Sequence, residues 1–122
     1  MKKIVVYQKG TCSTCRKAIN RLKDLRITIS IVDYLDVPFT EMDIRRILKK
    51  MRADPPSILR RKEPKVKELM KVYPSISDDQ WINFMTEYPC IVERPIIETE
   101  SKAFLARPAE TLEGFLLNEG LL

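Results

Sequence analysis

The spacing of hydrophobic positions along this chain changes several times, and the changes mark out its elements. Ile4-Val5-Val6-Tyr7 is a short apolar run that predicts a strand over 3–7. Over 13–25 the apolar positions Ala18, Ile19, Leu22 and Leu25 fall on one face of a helix. The β-branched stretch 27–34 predicts a second strand, and this β-α-β start is long enough for a parallel, right-handed crossover. Thr40 and Asp43 have the spacing of a capping box for a helix over 41–51. Asp54-Pro55-Pro56 stops that helix and starts a short one through Arg60. Pro64 opens another, to about Lys71. Ser77-Asp78-Asp79-Gln80 repeats the capping-box pattern before a helix that turns Trp81, Ile82, Phe84 and Met85 inward.

After the apolar pair Ile91-Val92 and the dipeptide Arg94-Pro95, two more strands are predicted over 96–99 and 103–107. Glu100-Ser101-Lys102 is their hairpin turn. Pro108 begins a last helix with Leu112, Phe115 and Leu116 inside, and Gly120 ends it. The order is β-α-β, several helices, then β-β-α. It predicts an α/β, thioredoxin-like fold with a four-stranded mixed sheet, its first two strands parallel and its last two a hairpin. The chain reads as one domain over 1–122, with a helical insertion at about 40–88.

Composition narrows the setting. At 122 residues and 44% hydrophobic, the chain can bury a core of ordinary size. No apolar run approaches the ~20 residues that cross a bilayer, so no membrane association is expected. Met1-Lys2-Lys3 leads into too few apolar residues for a signal peptide. Of three cysteines, two form a C-x-x-C, which fits a reducing compartment; the expected location is cytoplasmic. Histidine is absent, which excludes histidine acid–base schemes and leaves a poor zinc ligand set, so no metal is expected.

The net charge of +5 is uneven. Between Glu41 and Lys71 there are eleven Lys/Arg against five Asp/Glu. This patch lacks interleaved aromatics and any recognition motif, so it reads as a solvated helical surface, with no direct nucleic-acid binding expected.

The chemistry concentrates in Cys12-Ser13-Thr14-Cys15-Arg16. Cys12 falls at a strand-to-helix turn, where unpaired N–H groups and the helix dipole favour a thiolate. Cys15 is spaced to close a disulfide with it. Arg16, one helical turn on, brings a cation near the same sulfur. A C-x-x-C alone also fits half a metal site or two unrelated cysteines; its place after a strand and before a helix favours a redox motif. Pro95 is expected to be cis, because this architecture usually carries a cis-proline beside the active sulfur.

Arg16, Arg60, Arg94 and Arg107 are the candidates for holding an anion, since a guanidinium donates paired hydrogen bonds to an oxyanion. Arg94 adjoins Pro95, Arg107 ends a strand, and Arg60 rests on spacing alone. Arg45, Arg46 and Arg61 read as surface charges. Cys90 reads as a small buried hydrophobe, Trp81 and Phe84 as core, and Glu93 has no assigned role.

Cys12-x-x-x-Arg16, Tyr34-Leu35 with Pro38, Ile58-Leu59-Arg60-Arg61, Asp78-Asp79, Pro89, Arg94-Pro95-Ile96-Ile97 and Arg107-Pro108 stand in a telling order and spacing. In them the chain resembles the glutaredoxin-dependent arsenate reductases over nearly its whole length. The resemblance implies a thiol-dependent oxidoreductase in which Cys12 attacks arsenic and Arg60, Arg94 and Arg107 hold the oxyanion. It implies no bound cofactor, with glutathione as co-substrate and glutaredoxin as partner in releasing arsenite.

Two positions depart from the family. Gln8 stands where the reductases carry a histidine, and Cys15 where they commonly carry a small hydroxyl residue. C-x-x-C is instead the pattern of the Spx-type regulators of the same superfamily. The alternative is therefore a redox-sensing transcriptional regulator with a Cys12–Cys15 disulfide switch and RNA polymerase as its partner.

Overall fold

The computed structural model describes residues 4–122; Lys3 of the first predicted strand and the Met1-Lys2-Lys3 leader lie outside them. In chain order the elements are β1 (Ile4–Gln8), α1 (Ser13–Asp24), β2 (Ile29–Asp33), α2 (Glu41–Met51), α3 (Pro64–Val72), α4 (Asp78–Glu87), β3 (Ile96–Glu98), β4 (Ala103–Leu105) and α5 (Leu112–Asn118). The chain divides into two compact units. One runs through Asp33 and resumes over Arg94–Leu122, and the other is Tyr34–Glu93.

The first unit holds the sheet, in the order β2-β1-β3-β4. β1 and β2 are parallel from Ile4↔Ile29 to Gln8↔Asp33. β3 runs antiparallel to β1 (Tyr7↔Ile96) and to β4 (Ile96↔Leu105). This is the thioredoxin-like arrangement that the element order predicts. Its core joins Ile4 and Val6 of β1, Ala18 and Leu22 of α1, Ile97 of β3, and Leu112 and Leu116 of α5, all fully buried. Phe104 of β4 stacks on Phe115 of α5, with ring centroids 4.8 Å apart.

Several boundaries differ from the predicted ones, for local reasons. β3 stops at Glu98 because Thr99 Oγ1 accepts the Lys102 N–H and closes the hairpin turn. The last helix opens as a 3-10 turn over Ala109–Thr111 before it becomes α-helical. It ends at Gly120, whose φ of +70° favours glycine.

In the second unit both capping boxes form: Thr40 with Asp43 and Ser77 with Gln80 exchange reciprocal hydrogen bonds. Ile44, Ile47 and Leu48 of α2 and Trp81, Ile82 and Met85 of α4 are buried. Phe84 is only half-buried, its ring sharing an aromatic cluster with Tyr73, Trp81 and Tyr88.

The short helix expected through Arg60 is instead a 3-10 turn that ends at Ile58. Leu59 turns extended and makes an antiparallel bridge with Val92. The Arg60 N–H donates to the Ile91 carbonyl at 2.7 Å and the Glu93 N–H to the Ile58 carbonyl at 2.8 Å. Backbone pairing across more than thirty residues outcompetes one more turn of local helix. Tyr34 ties its hydroxyl to the Val92 carbonyl at 2.7 Å and stacks on Phe39. Among the described residues no helix is long and apolar enough to cross a membrane.

Candidate functional site

The register of the sheet assembles the site in the first unit. Tyr7 near the end of β1 pairs with Ile96 at the start of β3, and Ile96 pairs with Leu105 at the end of β4. The loop after β1, the entry to β3 and the exit from β4 therefore meet at one end of the sheet. Cys12 lies on the first, Arg94 and Pro95 on the second, and Arg107 on the third.

Lys9, Gly10 and Thr11 form a turn closed by the Cys12 N–H on the Lys9 carbonyl at 3.0 Å. The turn delivers Cys12 to the N-cap of α1, where its Sγ accepts the Cys15 N–H at 3.4 Å. A cysteine thus takes the capping place usually held by serine or aspartate, and its sulfur faces the positive end of the helix. No acidic residue occupies the first turn of α1 to offset that field.

Opposing effects act on the Cys12 thiol. Burial raises its pKa, but hydrogen bonds from the Cys15 thiol and backbone, and from the Arg94 guanidinium with its charge, outweigh it. The net result lies below the ordinary thiol value. Cys15, fully buried one turn inside the helix, goes the other way. Burial leads and the neighbouring Cys12 adds to it, against the Lys9 backbone and Arg94, and the thiol is pushed up to about 12. Near neutral pH the pair is thus one thiolate-prone sulfur, half-exposed, and one protonated sulfur behind it that donates to it.

Arg94 is the cation that acts on the Cys12 sulfur. Only 6% of it is exposed, in spite of its charge. Its peptide bond to Pro95 is cis, as is that between Arg107 and Pro108. Continuing the β3–β4 register one step, the Ala106 N–H donates to the Pro95 carbonyl at 3.0 Å. One step further, Arg107 lies opposite Arg94 and donates from Nη1 to the Arg94 carbonyl at 3.3 Å. Arg16 is exposed on α1. Among the described residues its side chain makes no hydrogen bond or ion pair, so the proximity suggested by spacing brings no contact.

Arg60 belongs to the second unit and is already engaged. Its Nη1 donates to Glu93 Oε1 at 3.1 Å, and its Nε lies 3.8 Å from Glu63 Oε2. Glu93 was missed by reasoning from sequence. Its signal was the matching apolar–charged alternation in Leu59-Arg60 and Val92-Glu93, visible only once those two segments are known to pair. Cys90 is half-buried rather than enclosed, because it sits in the 3-10 turn Pro89–Ile91. Burial first, then the Glu63 carboxylate beside it, raises its thiol pKa.

Some side chains of the basic stretch are paired with carboxylates. Arg45 meets Glu41 and Asp79, Arg46 meets Asp43, and Lys65 meets Glu68. Among the described residues no cluster of three or more His, Cys, Asp or Glu is arranged to hold a metal ion.

The chain is similar to known proteins over most of its length. An arsenate reductase of Neisseria meningitidis is 30% identical over 117 residues, covering 95% of this chain and all of that protein. An uncharacterized Escherichia coli protein is 32% identical over 110 residues, 89% of this chain and 92% of its own length. The structure of an arsenate reductase from Vibrio cholerae superposes with a TM-score of 0.83 at 27% identity, covering 91% of this chain and 96% of that one. The model of the ArsC family matches residues 7–115, and the chain belongs to that family.

Proposed function

We propose that this protein is a thiol-dependent arsenate reductase. The observation that carries the reading is the half-exposed Cys12 sulfur at the N-cap of α1, with its pKa lowered and the buried Arg94 guanidinium bonded to it. Arsenate is largely dianionic near neutral pH, and thiolate attack brings more negative charge to the same place. Fixed cations and helix N–H groups make that approach tolerable. Arg94 and Arg107 supply the cations in the first unit.

In the first step the Cys12 sulfur bonds to arsenic and one arsenic oxygen leaves as water, taking up protons. In the second, another thiolate attacks the Cys12 sulfur. A disulfide forms, and the arsenic–sulfur electron pair stays on arsenic, taking arsenic(V) to arsenic(III). Two thiols are oxidised and arsenite is released. Either glutathione, with glutaredoxin recycling Cys12, or Cys15 supplies the second sulfur. The position of Cys15 directly behind Cys12 supports the internal route, with external thiols then reducing the Cys12–Cys15 disulfide.

Arsenate-dependent NADPH oxidation with glutathione, glutaredoxin and glutathione reductase tests the reading, run on the wild type beside Cys12→Ser and Cys15→Ser. Loss of turnover in Cys12→Ser alone establishes the monothiol route, and loss in both the dithiol route. Turnover that survives Cys12→Ser overturns the mechanism. A folded wild type without turnover favours the second reading, a redox switch built on the same two sulfurs with RNA polymerase as the partner to be tested by pull-down.

A further inference from the structure

The turn that presents Cys12 is held at two points. The Cys12 N–H closes it on the Lys9 carbonyl at 3.0 Å. The second hold comes from outside the turn, where the Gly10 N–H donates to Asp33 Oδ2 at 3.3 Å. Asp33 is the last residue of β2 and lies opposite Gln8, the last residue of β1, in the parallel register. It therefore meets the same stretch of chain twice, in the ladder at Gln8 and through its carboxylate two residues later, where the ladder has ended. All of these residues belong to the first unit.

The glycine at position 10 is required neither by its backbone nor by lack of room. Its φ is not in the left-handed region, and a Cβ there would stand 3.6 Å from Asp33 Oδ2, an ordinary contact. What the position contributes is its N–H. A carboxylate that accepts from a backbone N–H makes a charge-assisted bond, stronger than one to a neutral acceptor. The turn ends at Cys12, whose Sγ accepts the Cys15 N–H at 3.4 Å and so caps α1. The Lys9 backbone, which takes the Cys12 N–H, also bonds the Cys15 sulfur. A shift of the turn carries Cys12 off the helix end, and the field of the helix falls away within its first turn. We propose that Asp33 is a positioning residue: its carboxylate fixes the turn over 9–11 and thereby seats the Cys12 sulfur on the N-terminus of α1. This role rests on Cys12 being the reacting sulfur, as proposed above. The Asp33 charge by itself would disfavour a thiolate nearby, so charge and position predict opposite signs when the residue is replaced.

The pH dependence of Cys12 alkylation by iodoacetamide, with modification at Cys12 quantified by mass spectrometry, tests the role without turnover. It is run on the wild type, Asp33→Ala, Asp33→Asn and Gly10→Ala, with thermal unfolding to establish that each is folded. Cys15 and Arg94, which face the same sulfur, are kept in all of them.

In Asp33→Ala the midpoint is expected to rise and the rate near neutral pH to fall about three- to tenfold, the factor carried by one lost hydrogen bond. Asp33→Asn, which keeps an acceptor oxygen without the charge, restores the rate to within about twofold of the wild type. Gly10→Ala, which keeps the N–H, leaves it unchanged. A midpoint that Asp33→Ala leaves unmoved overturns the role, as does an equal loss in Asp33→Asn. A midpoint lowered in both Asp33 variants also overturns it, because the carboxylate would then act as a charge opposing the thiolate. Asp33→Val suits a strand end and has no acceptor, so it must behave as Asp33→Ala does and decides the matter if the alanine variant does not fold. Arsenate turnover is measured alongside. If the wild type shows none, the arsenate reading fails, and the alkylation profile still decides the role of Asp33.

Discussion

Arg107 donates from Nη1 to the backbone carbonyl of Arg94 at 3.3 Å, across the position where the β3–β4 register places the two residues opposite each other. One arginine is almost fully buried and bonded to the Cys12 sulfur, and the other is exposed and braces its backbone. The two are therefore unequal in their effect on the thiol. Arg94→Gln removes a direct hydrogen bond and a charge, so the pKa of Cys12 rises. Arg107→Ala removes a brace and a more distant charge, so the same pKa rises less. The pH dependence of iodoacetamide alkylation measures both. A midpoint unmoved by Arg94→Gln would show that the helix N-terminus and Cys15 alone set the reactivity of Cys12.

The Tyr34 hydroxyl meets the Val92 carbonyl at 2.7 Å, and both residues are fully buried. Tyr34→Phe keeps the ring against Phe39 but leaves that carbonyl without the hydroxyl. The expected loss is about 1–3 kcal/mol of unfolding free energy, read from urea titrations. A loss well under ~0.5 kcal/mol would mean that water reaches the carbonyl once the hydroxyl is gone.

Much of this arrangement was legible because its causes are local. Thr40-Asp43 and Ser77-Gln80 announce their capping boxes within four residues, and both form. Ala18, Ile19 and Leu22 show their buried face by spacing alone. The strand–turn–helix context of Cys12 indicates an N-terminal sulfur, and the sulfur caps the helix. What stayed hidden depends on pairing between distant segments. Arg60 and Glu93 are 33 positions apart, and neither carries a sign of the other until Leu59 meets Val92. Arg16 shows the converse: helical spacing gives a direction around the axis, but a long flexible side chain at the surface is not obliged to follow it.

Burial sorts the residues of the last helix. Leu112 and Leu116 are fully enclosed beside Ile97 and Leu22, whereas Leu117 of the same helix is 60% exposed. Leu112→Ala is expected to cost about 2–5 kcal/mol, because it removes transfer free energy and leaves a cavity. Leu117→Ala is expected to stay within about 0.5 kcal/mol of the wild type. Urea unfolding of the two variants side by side checks the inner face of α5. Equal losses would contradict it.

The two thiols of the motif impose opposite pH dependences on stability. The folded pKa of Cys12 is depressed, so its contribution is present above the unfolded thiol value of about 8.5 and is lost as pH falls through the folded pKa. The folded pKa of Cys15 is raised to about 12. Its contribution is full below the unfolded value and is lost as pH rises from there toward about 12, because the unfolded chain releases a proton that the folded chain keeps. Stability under reducing conditions should therefore climb toward the ordinary thiol range and decline beyond it. Lysines and tyrosines also titrate on the alkaline side, so differences between variants isolate the sulfurs. Cys15→Ser should flatten the alkaline decline relative to the wild type, and Cys12→Ser should flatten the climb below it. Urea midpoints taken from about pH 6 to about pH 11 read both. If Cys15→Ser leaves the alkaline slope unchanged, Cys15 titrates in the folded protein as it does in the unfolded chain. Cys15 would then remain mostly protonated near neutral pH but carry a small thiolate fraction, and the internal route to a disulfide would have its attacking sulfur without any further shift.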